Sequence, residues 1–335
     1  MNRVLSVLVL LALLACGRET GDKGKVYLPQ FSLPYGQSKV LIYSYPDLGY
    51  LGEVDSGILG MHAEKRPNSN ELWVSCEGSR EIYIIDTDTD SLQSRIPLKF
   101  AAQSGAFTPD GSIFVVAHGA QISKPKGSNQ ASIVDANSHE ILATLEVGSN
   151  PLDVAISPDG REAFVANNDD HTITRIDIAA QRVLDTVETG PGPYSLAVDS
   201  VNSVLLAACR GVDHDSPGLV YGHPLPDLVA DSQYPSSMHP VQTFVNSGEI
   251  LLVEAKAKPG GQVQVFTNLA EEPELLMEFD EKPSLGKLSP SGRWLLLTLG
   301  AKELICVDME SKQISQRRSL PDGARGYIVM DLEID

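Results

Sequence analysis

One unit of about forty residues recurs along this chain, and Ser149 to Gly190 shows it most clearly: SNPLDVAISPDGREAFVANNDDHTITRIDIAAQRVLDTVETG. Four short apolar runs lie in it, Leu152–Ile156, Ala163–Ala166, Thr172–Asp177 and Arg182–Val187. Ser157-Pro158-Asp159-Gly160, Asn167-Asn168-Asp169-Asp170 and Ala179-Ala180-Gln181 separate them. Short β-branched runs broken by Pro, Asp, Asn and Gly predict four antiparallel strands joined by tight turns. Aligned on the turn after the first strand, the units fall at Pro67, Pro109, Pro158, Ser200, Asn246 and Pro290, spaced 42, 49, 42, 46 and 44 residues apart. Four strands per unit at a period in the low forties predict a β-propeller. The length points the same way. At 335 residues the chain exceeds the roughly 250–300 residues at which one simple core stops growing, so it holds either two domains or one repetitive architecture.

The remaining strands follow at constant offsets. The second strand of each unit is expected at Leu72–Ser75, Val115–Ala117, Ala163–Ala166, Leu205–Ala208, Leu251–Glu254 and Leu295–Thr298. The third ends on Asp in Ile82–Asp86, Ser132–Asp135, Ile173–Asp177 and Leu304–Asp308. Those carboxylates are placed to cap tight turns on their own backbone, which is a structural task. Six units are complete, and the chain ends supply a seventh. Lys25–Gln30, Val40–Ser44 and Gly49–Val54 read as its second, third and fourth strands, and Tyr327–Leu332 as its first. Sharing that blade between the termini closes the ring and leaves no open edge at the seam.

Phe164-Val165-Ala166-Asn167, a short turn, and then Thr172-Ile173-Thr174-Arg175-Ile176-Asp177 resemble the YVTN-repeat family of β-propellers. So do the preceding Ser157-Pro158-Asp159-Gly160 and the ungapped Trp73-Val74-Ser75-Cys76 to Ile84-Ile85-Asp86. Gly148-Ser149-Asn150-Pro151 and Gly190-Pro191-Gly192-Pro193 resemble the family's Gly-X-X-Pro before a first strand. The resemblance covers residues 25–335, is strongest over Pro67–Ala208 and weakest over Gly211–Pro240. It implies an all-β fold of seven four-stranded blades. It does not imply one activity, because bacterial propellers of this type include envelope binding proteins, lactonases and quinone- or haem-linked enzymes.

The N-terminus carries targeting information. Arg3 precedes an apolar run, Val4 to Ala15, too short for the ~20 residues of a membrane-spanning helix and suited to a signal peptide. Leu13-Leu14-Ala15-Cys16 resembles the bacterial lipobox, in which cleavage leaves a lipid-modified Cys at the new N-terminus. Residues 1–15 then form the leader, 16–24 the lipidated Cys and a polar tether, and 25–335 a single propeller domain. Gly17 rather than Asp after that Cys resembles lipoproteins sent to an outer membrane, facing the periplasm or the cell surface. The formal charge is −18. So acidic a surface disfavours a nucleic-acid backbone and anionic headgroups, so attachment to a membrane rests on the lipid alone. Cys76, Cys209 and Cys306 remain, with no CxxC or CxxCH spacing, which argues against a zinc site or covalent haem. They read as small buried apolar residues.

Function is sought where units depart from the repeat. The turns between second and third strands face the channel mouth, and three of them are longer than the rest. Gln121–Gln130 contains Lys124 and Lys126, Gly211–Gly218 contains Asp213, His214 and Asp215 next to Arg210, and Lys256–Gly261 opens on Lys256. His118 holds the position that Asn167 has in the next unit, and Asp169, Asp170 and His171 follow Asn167 by one turn. His and carboxylates from three neighbouring blades make one sector of the rim the candidate ligand site. Such a donor mixture suits a polar ligand or a protein, or a divalent cation. No GxSxG, HExxH, P-loop or dinucleotide motif occurs, and no cofactor is predicted. The reading is a monomeric, non-enzymatic binding scaffold on the cell envelope. The alternatives are a lactonase-like or metal-assisted hydrolase on the channel face and a quinone- or haem-linked redox protein. If Cys16 carries the lipid, Cys16→Ser moves the protein from the membrane to the soluble fraction on cell fractionation, whereas unchanged membrane association refutes the anchor.

Overall fold

The computed structural model describes residues 22–30, 36–120, 128–211, 218–235, 239–246, 249–255, 260–266, 273–300, 302–321 and 333–334. Every regular element among them is a β-strand, and the strands form seven four-stranded antiparallel sheets. Each sheet is a blade with an inner, second, third and outer strand. Blade 1 combines Gly24–Gln30, Gln37–Tyr45 and Tyr50–Ile58 with the C-terminal Glu333–Ile334 as its inner strand. Blade 2 runs over 60–97, blade 3 over 104–146, blade 4 over 151–188, blade 5 over 193–235, blade 6 over 239–279 and blade 7 over 283–319. The inner strands pack against one another in that order and back to the first, so the sheets form a closed propeller.

The core lies between blades. Seven apolar clusters fill the seven junctions, and each draws on two neighbouring sheets. Between blades 2 and 3, the fully buried Trp73 packs with Ile82 and Ile84 against Phe107, Phe114 and Val116, with ring centroids 5.1 Å from both phenylalanines. A buried side chain of this size stabilises by roughly 1.5–3 kcal/mol. The closing junction is built the same way: Val26, Leu28, Leu41 and Tyr43 of blade 1 meet Leu296, Leu304 and Cys306 of blade 7. Cys76, Cys209 and Cys306 are free and buried, and burial pushes their thiols up to about 12, 12 and 11. They act as small apolar groups of the core.

The turns follow from their side chains. Asp86 Oδ1 accepts from the Asp88 and Thr89 amides at 3.0 and 2.9 Å, and Asp135 Oδ1 from Asn137 and Ser138 at 2.9 and 2.8 Å. These amide bonds hold both carboxyls below the usual range. In the turns after the inner strands, Asp110 accepts from the Thr108 hydroxyl and Asp159 from the Ser157 hydroxyl, each at 2.6 Å. Gly111, Gly160 and Gly292 close these turns at φ of 71, 72 and 74°, the left-handed region that favours glycine. Antiparallel pairing fixes what lies at each end of a blade. Inner-to-second and third-to-outer turns share one face, called here the turn face. Second-to-third connections and the links between blades share the other, the mouth face.

The C-terminal segment closes the ring, as expected. Tyr327–Leu332 lies outside the described residues, and the described segment that pairs with Gly24–Gln30 is Glu333–Ile334, in the register Val26↔Ile334 and Tyr27↔Glu333. Truncation after Leu332 removes this pairing and opens the inner edge of blade 1. The truncated protein should melt several degrees below the full chain with a broader transition in a thermal unfolding scan, and an unchanged melting curve refutes closure by this strand.

Candidate functional site

The sequence-predicted residues fall into two groups. Cys16, Asp213, His214, Asp215 and Lys256, with Lys124 and Lys126, lie outside the described residues. His118, Asp169, Asp170, His171 and Arg210 are on the mouth face, at or just beyond the ends of second strands in three consecutive blades.

His118 is 1% exposed. Its Nδ1 lies 2.8 Å from the Ala101 carbonyl in the link from blade 2, and its Nε2 lies 2.7 Å from Ser132 Oγ. Burial lowers it to about 4, so the ring is neutral at pH 7. In that state Nδ1–H donates to Ala101 and Nε2 accepts from Ser132, whose hydroxyl also meets Thr144 Oγ1 at 2.9 Å. Asn167 does the matching work in blade 4, donating to Thr172 and Thr174 at 3.0 and 2.8 Å. Asp170 accepts from the Ser149 amide at 2.6 Å, and Asp169 from Asn150 Nδ2 at 3.2 Å. Both therefore tie the mouth turn of blade 4 to the link that enters it. His171 Nδ1 accepts from the Gly192 amide at 3.0 Å and so ties the same turn to the link that leaves it. Arg210 stacks on Tyr194, its guanidinium carbon 3.1 Å from the ring centroid, and its carbonyl faces His239 Nδ1 of blade 6 at 2.9 Å. The described His and Asp side chains of this sector are engaged in holding links and turns together, whereas Asn167 Oδ1 and Arg210 Nε are buried without a hydrogen-bond partner among the described residues.

A second polar arrangement runs around the channel wall, where the inner strands meet. Ser104 Oγ of blade 3 donates to Asp153 Oδ1 of blade 4 at 2.8 Å, and the Leu196 amide of blade 5 donates to Asp153 Oδ2 at 2.8 Å. One carboxylate thus joins three consecutive blades. Gln242 Oε1 accepts from the Gly286 amide at 2.7 Å, joining blades 6 and 7. Lys287 of blade 7 pairs with Glu64 of blade 2 at 3.2 Å, reaching across shared blade 1. His62 stands between these groups, Nε2 3.8 Å from Glu64 and Nδ1 3.5 Å from Ser104 Oγ. Desolvation raises Asp153 to about 6, opposed by the Leu196 amide, the Ser104 hydroxyl and His62.

Ser104, His62 and Glu64 come in the order of a nucleophile, a base and an orienting carboxylate. The distances do not serve that chemistry. Proton transfer needs a hydrogen bond of about 2.6–3.2 Å, and the shorter contact of Ser104 is to Asp153. No group of three or more His, Cys, Asp or Glu able to hold a metal ion occurs among the described residues. Outside the channel, a shallow groove of about 620 Å³ lies on the rim between blades 6 and 7, lined by Leu276, Met277 and Lys312–Arg317.

These wall residues were missed at the sequence level, although some of them carry a signal. His62, Asp153 and Gln242 each stand two positions after a Gly or Pro at or next to the start of the inner strand: Gly60, Pro151 and Pro240. In the same strands the pairing register shifts between those two residues. Ser104, Glu64 and Lys287 carry no such mark.

No family model matches the chain, and the search of curated proteins found no match. Solved structures do match. Hydrazine synthase of Kuenenia stuttgartiensis superposes with a TM-score of 0.67 at 18% identity, covering 75% of this chain and 77% of that one. A functionally unknown protein from Desulfotomaculum acetoxidans DSM 771 superposes with a TM-score of 0.72 at 12% identity, covering 93% of this chain and 98% of that one. Similarity at this identity establishes the seven-bladed propeller fold and leaves the chemistry to the residues.

Asp153 and His118 have opposite pH signatures. Asp153 rises from 3.8 to about 6, so the stability it contributes is complete below pH 3.8 and is lost as pH rises through 6. His118 falls from 6.5 to about 4, so its contribution is complete above pH 6.5 and is lost as pH falls toward 4. D153N should therefore steepen the loss of stability between pH 6 and 4, and H118N should flatten it, each by about 1–3 kcal/mol. Denaturant melts of both variants at pH 4, 5, 6 and 7 test this, and parallel curves for wild type and variants refute the assignment.

Proposed function

We propose that this protein is a non-enzymatic binding scaffold of the YVTN-repeat type, held on the cell envelope by a lipid on Cys16 and presenting its mouth face to a protein or other polar ligand. One observation carries the reading. The second-to-third connection is short in blades 2 and 4, Cys76 to Glu81 and Asn167 to Thr172, but runs from Ala117 to Gln130 in blade 3 and from Cys209 to Leu219 in blade 5. Both extended connections leave the same face of a ring braced by cross-blade bonds. Long loops on a rigid scaffold are where binding residues concentrate. Arg210, flat on Tyr194 at the base of the blade 5 connection, adds a cation beside the Asp213-His214-Asp215 run. The engaged state of His118, Asp169, Asp170 and His171 favours a scaffold over a hydrolase, because none of them is held ready to take a proton from a substrate.

The test exchanges the loops and leaves the ring alone. Residues 121–127 and 212–217 are replaced by the four-residue connection of blade 4, and the lipidated protein is photo-crosslinked in its own envelope. The parent should yield discrete adducts that the double replacement loses at least ten-fold, with unchanged thermal unfolding. Equal crosslinking by the two proteins refutes the mouth face as the binding surface. Turnover of lactones by the purified protein, lost on chelation, would favour the hydrolase instead.

A further inference from the structure

We propose that the turn face of the ring lies against the bilayer, its exposed apolar rim resting in the zwitterionic headgroup layer, so that the mouth face is directed away from the membrane; this rests on the lipid anchor at Cys16 proposed above. The first support is where the tether enters the fold. Asp22 accepts hydrogen bonds from Ser289 and Ser291 in the inner-to-second turn of blade 7, and from Tyr45 Oη at 3.2 Å at the third-to-outer turn of blade 1. Ser291 holds the position that Asp110 and Asp159 have in blades 3 and 4. The N-terminal segment therefore supplies the carboxylate that this turn lacks, and the chain is fixed to the turn face at Asp22.

The second support is reach. From Cys16 to Asp22 the chain has six residue steps, which span at most about 20 Å when fully extended. An inner strand such as Pro151–Ile156, of 6 residues, spans about 20 Å by itself, before its turns are added. With the lipid in the bilayer, the tether is too short to place the mouth face on the membrane.

The third support is chemical. Among the described residues, the large apolar side chains that stand exposed all belong to the turn face. Leu51, Leu92, Leu142 and Leu275 sit at the starts of outer strands, directly after third-to-outer turns. Val201 and Val229, 69% and 70% exposed, sit within turns of blade 5. A ring of single apolar groups on one face gains little in water, but it gains free energy once the tether brings that face to an interface. The carboxylates of the same face, Asp86, Asp110, Asp135 and Asp159, are held below their usual range and stay ionised. They disfavour anionic lipid, which is why the occupant is a zwitterionic surface.

The experiment uses the full chain, lipidated on Cys16 and reconstituted in phosphatidylcholine vesicles carrying a shallow nitroxide-labelled lipid. A fluorophore is attached to L142C or V201C on the turn face, or to E188C at the mouth end of an outer strand; the native cysteines are buried. Quenching at residues 142 and 201 should exceed that at residue 188 at least three-fold. Equal quenching at all three positions, stronger quenching at 188, or none at any position in protein that floats with the vesicles overturns the orientation and leaves the anchor standing. Protein that does not float, or C16S protein that floats as well as wild type, overturns the anchor and the orientation with it.

Discussion

Apolar packing between neighbouring sheets is the interaction on which everything else here depends. No blade buries its own core. A four-stranded sheet exposes two faces, and in this chain each face is covered only by the next sheet in the ring. Trp73 shows the consequence, since it belongs to blade 2 and lies fully buried against two phenylalanines of blade 3. A structure of this kind has no stable partial form with one blade missing, because removing any sheet uncovers two others. The termini must therefore meet, and the apolar junction between blades 7 and 1 carries most of that meeting.

Polar groups have a different task. Apolar burial is non-directional, and hydrogen bonds and one ion pair add directional links between blades around the channel. Asp153 spans three blades, Gln242 two, and the Lys287–Glu64 pair crosses the shared blade. On the mouth face His118, Asp169, Asp170 and His171 do the same for links and turns. These bonds brace the ring that carries the connections. The two faces differ: compact Asp-capped turns with exposed apolar groups on one, and the longer second-to-third connections of blades 3 and 5 on the other.

The strands and their order were legible because local chemistry repeats. Alternating β-branched runs and Asp- or Gly-bearing turns act within a few residues, and the observed strand at Glu162–Asn167 differs by one residue at each end from the Ala163–Ala166 read from sequence. The role of His118 was not legible. Its equivalence to Asn167 was visible, but a histidine in a sequence does not show whether its nitrogens meet a ligand or the Ala101 carbonyl and the Ser132 hydroxyl. The channel wall was hidden for the same reason. Ser104 and Asp153 are 49 residues apart and Asp153 and Leu196 are 43, so each contact exists only after two blades have docked.

What the sequence by itself determined is the blade: its four strands, its turns, its repetition and the need for the two ends to share one sheet. Those features depend on backbone preferences and on a pattern of burial that any single unit carries. What only the tertiary structure decided is which polar atoms meet across blades, where the C-terminal strand pairs, and on which face the N-terminal segment is fixed. The pairing of Glu333–Ile334 with Val26 and Tyr27, and the capture of Asp22 by Ser289 and Ser291, are contacts between chain segments more than 260 residues apart. No periodicity encodes such contacts, because they are set by how the ring closes and not by the unit that repeats.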